Sequence, residues 1–202
     1  MSAFSIYLSI SNKNLGKAAL AILLTLLKSD GEVSYNRCEN TKIYVQNFPQ
    51  MFPLLQTCLE DFDTSMRELA MSGLVCLLEL LPRGSLDQRD AHALYPGIIK
   101  RLDDSINAVR RDACRAFIGL MHAADLNELA GSALEYCVEQ LLIHLDDSSF
   151  DIQQCVYKAL SAMIELSGAS AASIEIKLEM AKASHRDPAL CIRLIALARD
   201  KK

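Results

Sequence analysis

One helical pattern recurs along this chain at an interval of 43 residues, as the turn residues Asp61, Asp104 and Asp147 show. The best-preserved copy, residues 95–110, has apolar residues at helical spacing, then an acidic turn, then the start of a second apolar helix. An aspartate oxygen in such a turn accepts hydrogen bonds from the free N–H groups of the following helix. A fixed interval of this size predicts a row of helix pairs, each of which needs its neighbours to bury its apolar face.

Four copies of the pattern align position by position. Each copy has an aspartate in the turn and an apolar residue that opens the next helix. An arginine follows that apolar residue in all copies but the third, which has Gln153. A proline stands in the first helix of the first two copies, at Pro53 and Pro96. The aligned aspartates are Asp61, Asp104, Asp147 and Asp187, the apolar residues are Met66, Val109, Ile152 and Ile192, and the arginines are Arg67, Arg110 and Arg193.

This combination of proline, aspartate and arginine resembles the HEAT repeat. The resemblance implies an all-α protein, a right-handed α-solenoid of about four and a half helix pairs, with first helices on the convex side and second helices on the concave side. It also implies a ladder in which turn aspartates pair with arginines of neighbouring repeats. The planar guanidinium suits such pairs. Because Gln153 replaces an arginine, we expect Asp147 to be paired elsewhere or solvated.

The repeat pattern predicts a single solenoid with no separate domains. Its first helix, from about residue 12, should be the second helix of an incomplete repeat. The least regular stretch is rich in polar residues, and long loops of this kind are either functional or simple surface connections. The expected segments are a partial repeat at 1–28, a loop at 29–47, and repeats at 48–82, 85–124, 125–168 and 170–202.

Charge and cysteine content narrow the class of protein. The formal net charge is only −4, which gives no sign of nucleic-acid binding. Between residues 121 and 166, eight acids face one base, which predicts either a solvated acidic face or a docking patch for a basic partner. Seven cysteines, an odd number without a CxxC pair, indicate free thiols in a reducing compartment. The apolar run 18–27 is too short to span a bilayer, so we expect a cytoplasmic protein.

No motif for catalysis or cofactor binding occurs, and the four histidines are too scattered for a metal site. We therefore expect no enzyme, no cofactor and no metal. The remaining candidate is a ridge of mixed charge on the concave side, which is either solvated surface or a groove for a peptide or subunit. Its possible partner-binding residues are Glu68, Arg101, Arg111, Arg115, Gln154 and Lys158.

The segments 94–104 and 139–147, and more weakly His185, Arg186 and Cys191, resemble the C-terminal end of the HEAT-repeat factors that assemble axonemal dynein. The resemblance implies a non-enzymatic cytoplasmic scaffold for dynein arm preassembly, of which this chain is the C-terminal part. Axonemal dynein chains, chaperones or other assembly factors would then be its partners. The alternative is a generic HEAT adaptor of the transport-receptor or phosphatase-scaffold type.

Overall fold

The computed structural model describes residues 13–32, 37–124, 131–166 and 171–201. This part of the chain is helical and contains no β-strand; one isolated bridge joins Leu86 to Ala124. A short 3-10 turn, Arg101–Asp103, follows the fourth helix. The helices are α1 Lys13–Glu32, α2 Arg37–Leu59, α3 Thr64–Leu80, α4 Gln88–Lys100, α5 Asn107–Ala123, α6 Ser132–Leu145, α7 Phe150–Leu166, α8 Ala171–Lys182 and α9 Pro188–Asp200.

The helices form two rows. The inner row consists of α1, α3, α5, α7 and α9, each packed on the next, and the outer row consists of α2, α4, α6 and α8. Each outer helix packs against the inner helix that follows it in the chain. Contacts along the inner row are more extensive than those along the outer row, so the inner helices lie closer together and form the concave side. The all-α solenoid predicted from the repeat is confirmed, with four helix pairs preceded by α1.

Local sequence explains where several helices begin. Asp63, Asp87 and Asp187 cap α3, α4 and α9, and each carboxylate accepts a hydrogen bond of 2.9–3.0 Å from a backbone N–H two or three residues on. The connection from α3 to α4 turns at Gly84, whose φ of +72° suits a residue without a Cβ. These residues fix where the helices begin and where the chain turns between two pairs.

The prediction of a loop at 29–47 is wrong for the residues that the structure describes. Helices α1 and α2 cover this stretch except for 33–36, which lie outside the described part. Tyr44 packs against the core and Phe48 is buried in it. Such packing outweighs the weak helix propensity of the polar residues around them. The boundaries predicted near 125 and 168–170 also fall on residues outside the described part.

A buried ion pair joins α3 to the turn before α5. Nε and Nη2 of Arg67 donate to the two carboxylate oxygens of Asp104 at 2.7 and 3.0 Å, and the Asp104 side chain is only 1% exposed. Its carboxylate also accepts from the N–H of Ile106 at 3.0 Å. Burial acts to raise the pKa of Asp104, but the hydrogen bonds and the charges of Arg67 and Arg101 hold it below its ordinary value. The arginine therefore reaches forward to the aspartate of the following repeat.

The next repeat makes the same connection. Nη2 of Arg110 contacts the carboxylate of Asp147, and Nε donates to the backbone oxygen of Leu102 at 2.7 Å. Asp147 therefore belongs to the ladder, whereas the glutamine at position 153 had predicted that it is paired elsewhere or solvated. The side chain of Gln153 instead donates to the backbone oxygen of Asp147 at 2.7 Å. Each arginine pairs with the aspartate of the following repeat. Gln153 therefore removes the ion pair between the third repeat and the turn before α9, and not the pair of Asp147.

The connection between the third repeat and the turn before α9 is built differently. His185, not Asp187, takes the place of the turn aspartate: its Nδ1 accepts from the N–H two residues on at 3.0 Å, as Asp104 and Asp147 do in their turns. Its side chain is 2% exposed. The repeat that lacks the arginine is thus followed by a turn that lacks the aspartate.

The register of α9 differs from the sequence alignment by two residues. Leu190 is 1% exposed and occupies the apolar site assigned to Ile192, which is 54% exposed. Arg193 is exposed and lies over the ring of Tyr157, 5.6 Å from its centroid. The prediction that Asp187 and Arg193 extend the ladder is corrected, because the interval from Asp147 to the equivalent residue of the last turn, His185, is 38 residues and not 43. Asp187 serves as a helix cap instead.

In the sequence, no arginine precedes Asp61 at the distance by which Arg67 precedes Asp104. The turn before α3 is therefore held by other contacts. The carboxylate of Asp61 accepts from the N–H of Asp63 at 2.8 Å, and its backbone oxygen accepts from Nη1 of Arg67 at 2.9 Å. Lys17 of α1 contacts Asp63 at 2.5 Å and links the first two inner helices. A lysine contact thus joins the first two inner helices, as arginine pairs join the later ones.

Candidate partner-binding face

The inner helices α3, α5 and α7 are covered on three sides and expose a narrow stripe. In α5 the stripe consists of Arg111, Arg115 and His122, while the rest of the helix after its first residue is buried or half-buried. Residues three and four apart lie on one face of a helix, so the stripe is continuous along α5. The equivalent stripes of neighbouring helices lie beside it and together form the inner face. This is the surface that the packing of the solenoid leaves open.

The structure places most of the predicted partner-binding residues on this face. Glu68 on α3, Arg111 on α5 and Lys158 on α7 are exposed, and Gln154 on α7 is half-buried. No ion pair of Glu68, Arg111 or Lys158 occurs among the residues that the structure describes. These side chains are therefore available to a partner, and their binding role stays a prediction.

Arg115 lies on the same face but is already engaged. Nη2 donates to Glu79 of α3 at 2.9 Å, and Nη1 donates to Asp112 at 3.2 Å. Asp112 in turn accepts from the hydroxyl of Ser72 at 2.7 Å. These contacts join α3 to α5 across the inner face. Arg115 therefore helps to hold the face together.

Arg101 does not lie on this face, and its predicted place there is corrected. Its side chain is only 12% exposed. Nη1 donates to the backbone oxygen of Leu59 at 3.0 Å and to Asp104 at 3.2 Å. Arg101 follows α4 of the outer row, and its side chain folds back onto the preceding turn. It is a packing residue between repeats.

Sequence reasoning missed a second set of polar contacts between turns. These contacts run from one repeat back to the preceding turn, opposite to the pairs of Arg67 and Arg110. They connect residues about forty positions apart. The acids recur at the 43-residue interval, but their partners differ in type and share no aligned position, so the repeat alignment does not identify the pairs. The pairs are Lys100 with Glu60, His144 with Asp103, and Arg186 with Asp146.

Gly119 was also missed. A Cβ built on it would lie 2.9 Å from Cβ of Leu78, so α3 and α5 approach closely at this point. A shallow pocket of about 300 Å³ opens beside the contact, lined by Glu79, Arg115 and His122 among others. The sequence signal was a glycine inside an otherwise regular helical pattern, which often marks close packing.

Three of the eight acids between residues 121 and 166 make contacts within the fold, and Glu135, Asp151 and Glu165 are exposed. Glu139 contacts Lys177 at 2.6 Å, Asp147 contacts Arg110, and Asp146 accepts from the N–H of Arg186. Two of the eight acids, at positions 125 and 128, lie outside the described part. The choice between a solvated acidic face and a docking patch for a basic partner stays a prediction.

The described residues offer no cluster of metal-ligating side chains to set against these contacts. Within 13–32, 37–124, 131–166 and 171–201, no group of three or more His, Cys, Asp or Glu side chains is placed to hold a metal ion. Burial raises the pKa of the Cys114 and Cys137 thiols to about 12. No helix in this part is both long and apolar enough to cross a membrane.

Two rows of helices with an open inner face define an α-solenoid of the HEAT and armadillo repeat class. A designed armadillo repeat protein in complex with the peptide (KR)4 aligns with 98% of this chain and 80% of its own, at a TM-score of 0.62 and 15% identity. The archaeal HEAT-like repeats protein from Thermococcus onnurineus NA1 aligns with 98% of this chain and 86% of its own, at a TM-score of 0.55 and 10% identity. At these identities the likeness concerns the fold alone.

The sequence is similar to dynein axonemal assembly factor 5. The human protein is 27% identical over 148 residues, which make up 72% of this chain, and the Xenopus laevis protein is 28% identical over 149 residues. The alignment covers only 17% of the length of either relative. No protein-family model matches the chain. The resemblance predicted from the C-terminal segments is confirmed by these relatives.

Proposed function

We propose that this chain is a non-enzymatic scaffold, part of a cytoplasmic factor for the preassembly of axonemal dynein arms, and that its inner face holds a partner protein. The similarity to dynein axonemal assembly factor 5 supports the assembly role. The repeat fold supports a binding role, because solenoids offer extended concave surfaces.

Exposed charged side chains on the inner helices are the observation that supports the inner face as the binding surface. Glu68, Arg111 and Lys158 stand exposed on three successive inner helices, and the described residues give them no ion pair. Long charged side chains lose conformational entropy when they are held in one geometry, so free ones contribute little to folding. Their place on a continuous concave surface suits contact with another protein.

The proposal is tested by affinity capture from ciliated cells with the tagged chain. A variant with Glu68→Lys, Arg111→Glu and Lys158→Glu is compared with a control that carries the same types of change at exposed positions off the inner face, Glu135→Lys, Arg83→Glu and Arg89→Glu. The wild type and the control should recover axonemal dynein heavy or intermediate chains. The inner-face variant should recover at least about tenfold less, equivalent to about 1.4 kcal/mol.

Two results would contradict the proposal. Recovery of only transport or phosphatase subunits by the wild type would favour the generic adaptor instead. Equal recovery of dynein chains by both variants would remove the inner face from the interaction. Circular dichroism of each variant checks that the helical fold is kept.

A further inference from the structure

Helices α8 and α9 are held to each other more firmly than they are held to the rest of the solenoid. Contact between α8 and α9 is more extensive than contact within any other helix pair of the described part. Contact between α7 and α9 is the least extensive between neighbours of the inner row. Arg199 of α9 also binds two acids of α8, because it donates to Glu175 at 2.7 Å and to Glu179 at 3.0 Å. We call these two helices the α8–α9 unit.

The ion pair that joins the earlier repeats is missing between α7 and the α8–α9 unit. Arg67 and Arg110 each bind the turn aspartate of the following repeat. At the equivalent place on α7, Gln153 donates to the backbone oxygen of Asp147 at 2.7 Å. This bond stays within one repeat. It therefore does not hold the α8–α9 unit to α7.

The turn before α9 buries an imidazole where the earlier turns bury a carboxylate. Nδ1 of His185 accepts from the N–H of Asp187, so the proton of the neutral ring is on Nε2. Nε2 is buried and has no hydrogen-bond partner among the residues that the structure describes. Asp146 lies 3.5 Å from Nδ1, which has no proton to donate to it. Because a buried donor without an acceptor costs free energy, this turn opposes its own burial.

Other polar contacts between the α8–α9 unit and the preceding repeat involve exposed groups. They include Lys177 with Glu139, Arg193 over the ring of Tyr157, and the N–H of Arg186 with Asp146. Exposed ion pairs contribute little to stability. The packing of α9 on α7 therefore supplies most of what keeps the unit in place, and this is the least extensive packing along the inner row.

We propose that the contact between α7 and α9 is a hinge, at which the α8–α9 unit separates as one body while the preceding helices stay packed. Native proteins open in contiguous cooperative units, at a lower free energy than global unfolding requires. Extensive contact inside a segment and weak contact around it define such a unit. Opening at this hinge changes the angle between α7 and α9, and so changes the curvature of the inner face. The hinge is a property of the fold and does not depend on the identity of the partner.

Native-state hydrogen exchange of the full chain, measured by mass spectrometry, tests the hinge. The buried amides of α8 and α9 should have similar protection factors, because one opening exposes both helices. These factors should be at least about tenfold lower than those of the buried amides of α5. Simple fraying of the last helix gives a different result, in which α9 exchanges faster than α8.

A variant with the missing ion pair rebuilt gives a second readout. Gln153→Arg with His185→Asp supplies the arginine and the turn aspartate of the earlier repeats, and should raise the protection factors of α8 and α9 at least about tenfold. The control, Gln88→Arg with His92→Asp, makes the same types of change at exposed positions of α4 and should leave these factors unchanged.

Three results would overturn the hinge. They are protection of α8 and α9 equal to that of α5, faster exchange of α9 than of α8, and no gain in protection in the rebuilt variant. Circular dichroism checks that both variants keep the helical fold. If the rebuilt variant does not fold, the comparison of α5, α8 and α9 in the wild type decides.

Discussion

Asp104→Ala is expected to lower the free energy of unfolding by about 3–5 kcal/mol, which is the usual cost of removing one partner from a buried ion pair. The change leaves the guanidinium of Arg67 buried between two repeats without its carboxylate, to which it donates at 2.7 and 3.0 Å. It also removes the acceptor for the Ile106 N–H. Capping alone would account for only about 1 kcal/mol. Urea unfolding of the chain measures the difference.

The neighbouring Asp103 is the matched control for this prediction. It is 74% exposed, so Asp103→Ala should change the free energy of unfolding by no more than about 0.5 kcal/mol. The pH dependence gives a second readout. Because the folded-state pKa of Asp104 is lowered, its stabilisation is present above its unfolded pKa of about 4 and is lost as the pH falls through the lower folded-state value. Similar unfolding curves for the two variants would show that the Arg67 pair does not stabilise the stack.

Gly119→Ala is expected to destabilise the chain by about 1–3 kcal/mol through overpacking. The new Cβ would meet Cβ of Leu78 at 2.9 Å, and this atom is attached directly to the backbone and cannot swing away. Helices α3 and α5 would have to separate at the point where Arg115 links them across the inner face. Thermal or urea unfolding measures the loss.

Gly97 provides the opposite expectation for the same substitution. It also lies inside a helix, α4, but a Cβ added there meets nothing within 4 Å. Alanine has a higher helix propensity than glycine, so Gly97→Ala should stabilise the chain by about 0.5–1 kcal/mol. A gain in stability for both variants would mean that α3 and α5 are not closely packed at Gly119.

The sequence predicted the elements that depend on local periodicity. Apolar spacing and the turn aspartates at 43-residue intervals are properties of single repeats, and they identify the helix pairs and the Arg67 and Arg110 positions. The direction of the ion pairs could not be read in this way, because it depends on how one repeat sits on the next. The case of Asp147 illustrates this: its partner comes from the preceding repeat, not from the position of Gln153.

The sequence predictions were wrong at three places, one of which is where the repeat interval changes. The interval from Asp147 to His185 is shorter than the 43 residues of the earlier repeats, so Ile192 was assigned to a buried site that Leu190 fills two residues earlier. At 29–47 the polar residues show no helical period, although parts of two helices that pack against the core cover most of this stretch. Of the candidate site, the exposed positions on α3, α5 and α7 followed from the repeat interval. Arg101 was misplaced because its side chain folds back onto the preceding turn.

The central claim is that the inner face, and not the outer row, contacts the dynein partner. Site-specific photo-crosslinking in ciliated cells tests it most directly, with the photoreactive residue at the exposed inner position of Glu68 or at the exposed outer position of Ala93. The account predicts adducts with axonemal dynein chains from position 68 and none from position 93. Dynein adducts from position 93 alone would contradict it.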